Sequence, residues 1–547
     1  MNNQPTANII ITNAHVYTVD DTNPHAEAVA IQGNSIIYVG SAAEAMSYRA
    51  DNTRVINGEG RTLLPGFIDS HYHLQWGSAT LYGAQLNGVS SMDELTAVLR
   101  AWMDEHPDAP WVVGEGAPYT LPTPDQPMTR DVLDAIVDDR PLVLMAFDQH
   151  SMFANTAALR EAGILQGASE PMSNGEIPLS EDGLATGELY EMDAMAYIRR
   201  AMPEQDLTQS VETLKKGLAL SASYGITSVH NMDGDIEQAR LYAHMEQQGE
   251  LSLRVYIPFW VKPYMNIERM VGETTAMQTL LTDEYGCEKV RGGVVKFFMD
   301  GVYESHTAVT LDGYPDQPDN FGEPIWDAET FAEFASEADR RGYQIAVHAC
   351  GNGAVRRVLD GYANAKQRNG SRDSRHRVEH IEVIHPDDVP RFAKLGVTAS
   401  MQPLHSPLEA GQTGDVWLSR IHPHNYDNAF AWRTLRNANA HIAFGSDWPV
   451  VTNSPFIGLH AALNRQPWAE GTNSHNQTLA EAIYGYTKGA AYTEFQEDVK
   501  GQIKVGTLAD LVLLSRDIFA MSEAELRTEL AAVEAVLTIC DGEVVYE

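Results

Sequence analysis

Pro65-Gly66-Phe67-Ile68-Asp69-Ser70-His71-Tyr72-His73 is the stretch from which this chain is best read. Along an extended strand alternate side chains share a face, so His71 and His73 point the same way and both imidazoles can reach one ion. Three other apolar runs end similarly: Gln344-Ile345-Ala346-Val347-His348, Arg377-Val378-Glu379-His380 and His441-Ile442-Ala443-Phe444-Gly445-Ser446-Asp447. Together the run ends offer His71, His73, His348, His380 and Asp447, a donor set for a divalent cation. A cation bound by imidazoles and a carboxylate, with one position open, lowers the pKa of its water toward neutrality and so makes a nucleophile. The motifs point to a metal-dependent hydrolase.

Working outward, eight strand-like segments fall near 66–71, 226–231, 253–260, 292–298, 343–348, 376–381, 397–402 and 441–446, with helical patterns between them. From Asp327 to Arg341, for example, Phe331, Phe334, Ala335 and Ala338 recur at helical spacing, Gly342 stops the run, and the strand holding His348 follows. Eight strand-plus-helix repeats predict an α/β (β/α)8 TIM barrel, with its chemistry at the C-terminal ends of the strands. One interval breaks the rhythm. About 150 residues separate the first two strands, so a large insertion, about 77–220, is expected after the first barrel strand, over the barrel mouth. Trp111, Phe147, Met152 and Phe153 are its expected roof. Both chain ends are β-rich, from Ile9-Ile10-Ile11 to Val544-Val545-Tyr546. A small β-sandwich of residues 1–62 plus 496–547 is therefore expected around a barrel of 63–495.

Composition narrows the partners. Seventy-five acidic against 38 basic residues give 547 residues a formal charge of −37, which excludes nucleic acid and anionic membrane as natural partners. No run approaches the roughly 20 apolar residues that cross a bilayer, and Met1-Asn2-Asn3-Gln4-Pro5 is neither basic nor apolar, so a cytoplasmic location is expected. Cys287, Cys350 and Cys540 are too few and too scattered for a disulfide framework. Cys350, two residues past His348, reads as a small buried side chain rather than a ligand.

The ordered series from Pro65–His73 through Val295-Lys296-Phe297-Phe298-Met299-Asp300-Gly301, Ala346-Val347-His348-Ala349, Val378-Glu379-His380 and Phe444-Gly445-Ser446-Asp447 to Gly501–Val512 resembles the amidohydrolase superfamily. Within it the chain is similar to amidohydrolase family 3, the branch that includes N-substituted formamide deformylases. The resemblance implies one or two divalent ions, with zinc the expected metal, at the mouth of a barrel joined to a sandwich built from both termini. It also implies that His348 and His380 are the ligands from strands five and six. Lys296 matches the strand-four lysine that bridges two metals as a carbamate in many relatives. It is either carbamylated here or an ordinary ammonium contacting a substrate or Asp300. Gly351-Asn352 departs from the Gly-Asp of many relatives, so no acidic role carries over to that position.

Asp447 is the expected proton shuttle, from the attacking water to the leaving amine, and also suits an N-cap. His150, at the end of the apolar run from Pro141, His405, Trp448 and Glu188 are the candidate substrate contacts. Their plainer readings are a structural histidine, rim packing for His405 and Trp448, and a solvated carboxylate for Glu188. The expected reaction is hydrolysis of a non-peptide C–N bond in a small-molecule amide, an N-substituted formamide by resemblance. An esterase, lactonase or deaminase would use the same centre, and a metal-free relative would be a binding or structural protein. A homodimer is the assembly to test.

Overall fold

The computed structural model describes residues 5–123, 127–146, 151–169, 172, 175–203, 206–408 and 416–547. Eight parallel strands follow one another around a barrel: β1 (Phe67–Tyr72), β2 (Ile226–Asn231), β3 (Arg254–Trp260), β4 (Val290–Phe298), β5 (Gln344–Ala349), β6 (Arg377–His380), β7 (Thr398–Met401) and β8 (His441–Phe444). Each lies within two residues of the segment expected from the sequence. Five of the eight are buried along their whole length, and β3, β4 and β8 are buried except at one or a few positions. Burial on both faces is what parallel strands covered by helices require. The helix Ala328–Arg340 shows how the sequence builds a repeat. Asp327 caps its first turn by accepting from the amides of Glu329 and Thr330, and Phe331, Phe334, Ala335 and Ala338 form its buried face. Gly342, with φ of +82°, turns the chain into β5 and so delivers His348.

The ends of the ring meet beyond the strands. Asp447 N donates to His71 O at 2.7 Å and His73 N donates to Trp448 O at 3.0 Å, so β1 and the segment after β8 are stitched at the candidate ligands themselves.

Two further sheets contain both termini. In the larger, Leu511–Leu514 pairs antiparallel with Thr62–Pro65 on one side and with Ala535–Cys540 on the other. The smaller places Ile9–Thr12 between Ala28–Gln32 and Arg54–Asn57. Ile11, Val16, Val29, Ile31, Leu63, Leu511, Leu513 and Ile539 share one core between these sheets, a β-sandwich closed by residues more than 400 positions apart. Residues 1–74 and 218–547 form one compact unit that holds barrel and sandwich.

Gln75–Gly217 form a second unit. It has its own five-stranded sheet, in the order Glu188–Tyr190, Ser151–Ala154, Leu142–Ala146, Val112–Ala117, Ala84–Gln85, and two apolar cores. Trp111 and Met152 lie in one core and Phe153 in the other, all buried, so these three side chains build the interior of this unit rather than a substrate-facing roof. Phe147 lies outside the described residues.

Candidate metal centre

The C-terminal ends of β1, β5, β6 and β8 converge as the barrel rule requires. Ring centroids of His71 and His380 are 4.6 Å apart, those of His348 and His380 4.4 Å, and those of His71 and His73 5.5 Å. Asp447 faces the group. Its Oδ1 lies 3.4 Å from His71 Nε2 and 2.9 Å from His73 Nε2, and donor atoms of His71, His380 and Asp447 lie within 4.8 Å of one another. A tetrahedral ion with bonds of about 2.0–2.1 Å to nitrogen and oxygen sets its donors about 3.3 Å apart, and the 3.4 Å between His71 Nε2 and Asp447 Oδ1 matches that separation. His380 and Asp447 hold left-handed backbones, with φ of 73° and 65°. Such conformations cost about 1–3 kcal/mol each in a residue with a side chain, and they persist where the surrounding structure imposes them.

The second nitrogen of each of three imidazoles faces a fixed partner. His71 Nδ1 lies 2.7 Å from Glu379 Oε2, His73 Nδ1 3.2 Å from Asp233 Oδ1, and His380 Nδ1 2.9 Å from Gln402 Oε1. Such outer partners set ring orientation and tautomer in metal sites. Burial, with Lys296 nearby, lowers His71 to about 3 and His348 to about 4, and burial among its neighbouring histidines holds His380 well below the ordinary range. These three are neutral imidazoles at physiological pH, the form that binds metal. Burial alone would lower His73 as well, but Asp233 and Asp447 outweigh it and raise this imidazole to about 9. Asp447 is an ionised carboxylate. Burial would raise it, and His71, His73 and His380 hold it well below the usual range.

Lys296, from β4, is fully buried, and its Nζ has no hydrogen-bond partner among the described residues. Burial pushes its ammonium down to about 8. An amine so placed exchanges easily into its neutral, nucleophilic form, the state that carbamylation needs. It makes no hydrogen bond to Asp300, whose carboxylate is occupied by the amides of Val309, Cys350 and Gly351.

His348 is placed differently from its companions. Its ring stacks on Phe298 at 4.8 Å, while Nε2 lies 3.1 Å from Gly301 O and 3.4 Å from Cys350 Sγ, so its donor atom groups with Asp300 and Cys350. Cys350 is buried beside it, and burial pushes the thiol well above its ordinary range.

Of the candidate substrate contacts, His405 joins the site. Its Nε2 lies 3.7 Å from Asp447 Oδ2, and its ring stacks over His380 at 6.0 Å. Trp448 is buried against Tyr72 at 5.0 Å and braces the β1 junction. Glu188 belongs to the second unit, where its carboxylate accepts from Tyr190 Oη at 2.6 Å and is engaged within its own sheet. His150 lies outside the described residues. Sequence reasoning missed Asp233, Glu379, Gln402 and Asp69. Glu379 and Gln402 were visible beside His380 and in Met401-Gln402-Pro403, but strand alternation assigns no partner to either. Asp69 Oδ1 accepts from the amides of His71 and Ser446, tying β1 to the segment after β8.

The sequence model of the amidohydrolase family matches residues 54–546. The chain belongs to the amidohydrolase family. It is 28% identical over 526 residues to the protein LONG AFTER FAR-RED 3 of Arabidopsis thaliana, covering 93% of this chain and 87% of that one. It is 27% identical over 547 residues to the N-substituted formamide deformylase of Arthrobacter pascens, covering 98% of each. Its fold is similar to that of an uncharacterized metal-dependent hydrolase of Pyrococcus horikoshii OT3, with a TM-score of 0.74 and 22% identity over 94% of this chain and 99% of that structure. The amidohydrolase accordingly folds as a TIM barrel, as the ordered motifs anticipated. No helix among the described residues is long and apolar enough to cross a membrane.

Proposed function

We propose that this amidohydrolase cleaves the C–N bond of a small-molecule amide, with N-substituted formamides as the leading substrate class. His71, His73, His348, His380, Asp447 and Lys296 hold a divalent metal centre, Lys296 as a carbamate if two ions are bound, and zinc is the expected ion. When bound, the metal polarises the substrate carbonyl and lowers the pKa of water. The protein's own groups do the rest. Glu379, Asp233 and Gln402 orient His71, His73 and His380, while Asp447 takes a proton from the attacking water and delivers it to the departing nitrogen. His405 lies within reach of the same carboxylate, 3.7 Å from Asp447 Oδ2.

The observation that carries this reading is Asp447, an ionised carboxylate buried among three imidazoles at the closing point of the barrel. The amide class draws its support from the full-length similarity to the formamide deformylase. The test is a panel of N-alkyl and N-aryl formamides, larger amides, and lactones, scored for amine release and ring opening, with Asp447→Asn alongside the wild type. Amine release from amides that falls at least about 100-fold in folded, metal-loaded Asp447→Asn is the expected result. Rapid lactone opening with no amine release from any amide would overturn the substrate class, and near-normal turnover in the variant would overturn the role of Asp447.

A further inference from the structure

Behind His71 the barrel interior is ionic where such barrels ordinarily pack Val, Ile and Leu. Glu379 Oε2 lies 2.7 Å from His71 Nδ1, and Arg377 donates to the same carboxylate through Nε at 2.5 Å and Nη2 at 3.0 Å. Arg377 Nη2 also reaches Ser70 O and Ser400 Oγ, while Nη1 lies 2.8 Å from His230 Nδ1. His230 Nε2 then faces Glu494 Oε1 at 3.2 Å, and Lys500 Nζ pairs with that carboxylate at 2.7 Å. Arg377, Glu379 and His230 are 0% exposed, Glu494 2% and Lys500 3%. Glu494 and Lys500 line a cavity of about 200 Å³ together with Arg254, Lys289, Arg291 and Asp541, at the strand ends opposite the metal centre.

The order of donors and acceptors along this column is determined by chemistry. Arginine only donates, so His230 accepts at Nδ1 and carries its proton on Nε2, facing Glu494. Both oxygens of the ionised Glu379 already accept from Arg377, so at the 2.7 Å contact with Oε2 His71 is the donor, carrying its proton on Nδ1 and leaving the Nε2 lone pair facing Asp447. Because a guanidinium keeps its protons, Arg377 blocks proton passage. The column transmits orientation and charge, not protons. Burying five ionisable groups for stability alone would be a poor solution, since well-packed apolar residues of the same volume do as well or better.

We propose that Arg377 and Glu379, backed by His230, Glu494 and Lys500, are positioning residues that lock His71 in its Nδ1–H tautomer and so preset its metal-binding nitrogen. The inference rests on the reading of His71 as a metal ligand. Its test is the zinc affinity of the full-length protein, measured by competition with a chelator, alongside the thermal stability of the chelator-treated chain. Glu379→Gln, whose amide can hydrogen-bond either tautomer, should bind zinc about 10–100-fold more weakly. Arg377→Met/Glu379→Gln, which also removes the stranded cation, should regain thermal stability relative to Glu379→Gln without regaining zinc affinity. Zinc affinity in Glu379→Gln within about threefold of wild type, or affinity restored together with stability in the double variant, would overturn the proposal. Histidine-selective 15N NMR of the wild type needs neither variant to fold. The His71 signal, identified by its loss in His71→Gln, should report Nδ1–H, and an Nε2–H signal would overturn the proposal. Full zinc occupancy in His71→Ala would instead refute the ligand set itself, whatever the column does.

Discussion

Gly445→Ala would test whether the closure of the barrel sets the metal geometry. Gly445 precedes Ser446 and Asp447, and its amide donates to Met401 O at 3.1 Å. A Cβ built on it would stand 2.4 Å from His71 N, 2.7 Å from Asp69 Oδ1 and 3.1 Å from His71 Cβ, whereas ordinary contact begins at 3.4 Å. Relief therefore needs a movement of about 1 Å, and the obstructing atom is backbone in β1, the strand that carries His71 and His73. The same movement strains the Asp69 bracket, whose Oδ1 accepts from His71 N at 3.1 Å and from Ser446 N at 2.9 Å. Overpacking of this kind costs about 1–3 kcal/mol. Misplacing reacting groups by about 1 Å removes about 100-fold from turnover. Denaturant midpoints, chelator competition for zinc, and amine release from the best substrate should all fall together. Wild-type stability and zinc affinity in Gly445→Ala would refute the claim that the β1–β8 junction fixes the ligands.

Lys296→Met should raise the stability of the metal-free protein while removing activity. At neutral pH the lysine is charged in both states, and its depression from 10.5 to about 8 makes folding pay at most about 3 kcal/mol that methionine does not; an unchanged or lower melting temperature of the chelator-treated variant would count against this. His441, stacked on Tyr492 at 3.9 Å and bonded to Gly489 O, is lowered to about 4 by burial. Its contribution, at most about 3 kcal/mol, is present above pH 6.5 and disappears as pH falls toward 4. The stability gap between wild type and His441→Gln should therefore narrow over that window in denaturant titrations, and a constant gap would contradict the assignment. A chain ending near residue 500 should be insoluble, because it lacks the partners of Thr62–Pro65 and the Asp510 and Asp541 carboxylates that pair with Arg254. A soluble, active fragment would show that the sandwich is dispensable.

Much of the fold was legible because its signals are local. The strands that carry the candidate ligands are short apolar runs leading to polar ends, and the helix before β5 shows 3.6-residue periodicity and a capping residue, Asp327. The interleaving of the termini was legible from composition alone, since two β-rich ends have few other ways to bury their faces. What local pattern does not carry is pairing at long range. Glu379 meets His71 across 308 positions and Asp233 meets His73 from a loop past the end of β2, and no periodicity links either pair. The ionic column was hidden for the same reason. His230 reads as one more strand residue, and Arg377 and Glu379 as a polar interruption of β6, until the barrel closes and turns them inward. The apolar residues expected to roof the mouth misled because an insertion large enough to have its own sheet must first fill its own core, which is where Trp111, Met152 and Phe153 lie.

The most direct test of a metal-dependent hydrolase built on these strand ends is the metal content of the purified protein, wild type beside His71→Ala, by inductively coupled plasma mass spectrometry. The account predicts one or two divalent ions per wild-type chain, and less than about a tenth of that in a folded His71→Ala chain whose imidazole no longer faces Asp447. A wild-type chain that hydrolyses its substrate without stoichiometric metal, or a His71→Ala chain that retains the full complement, would contradict it.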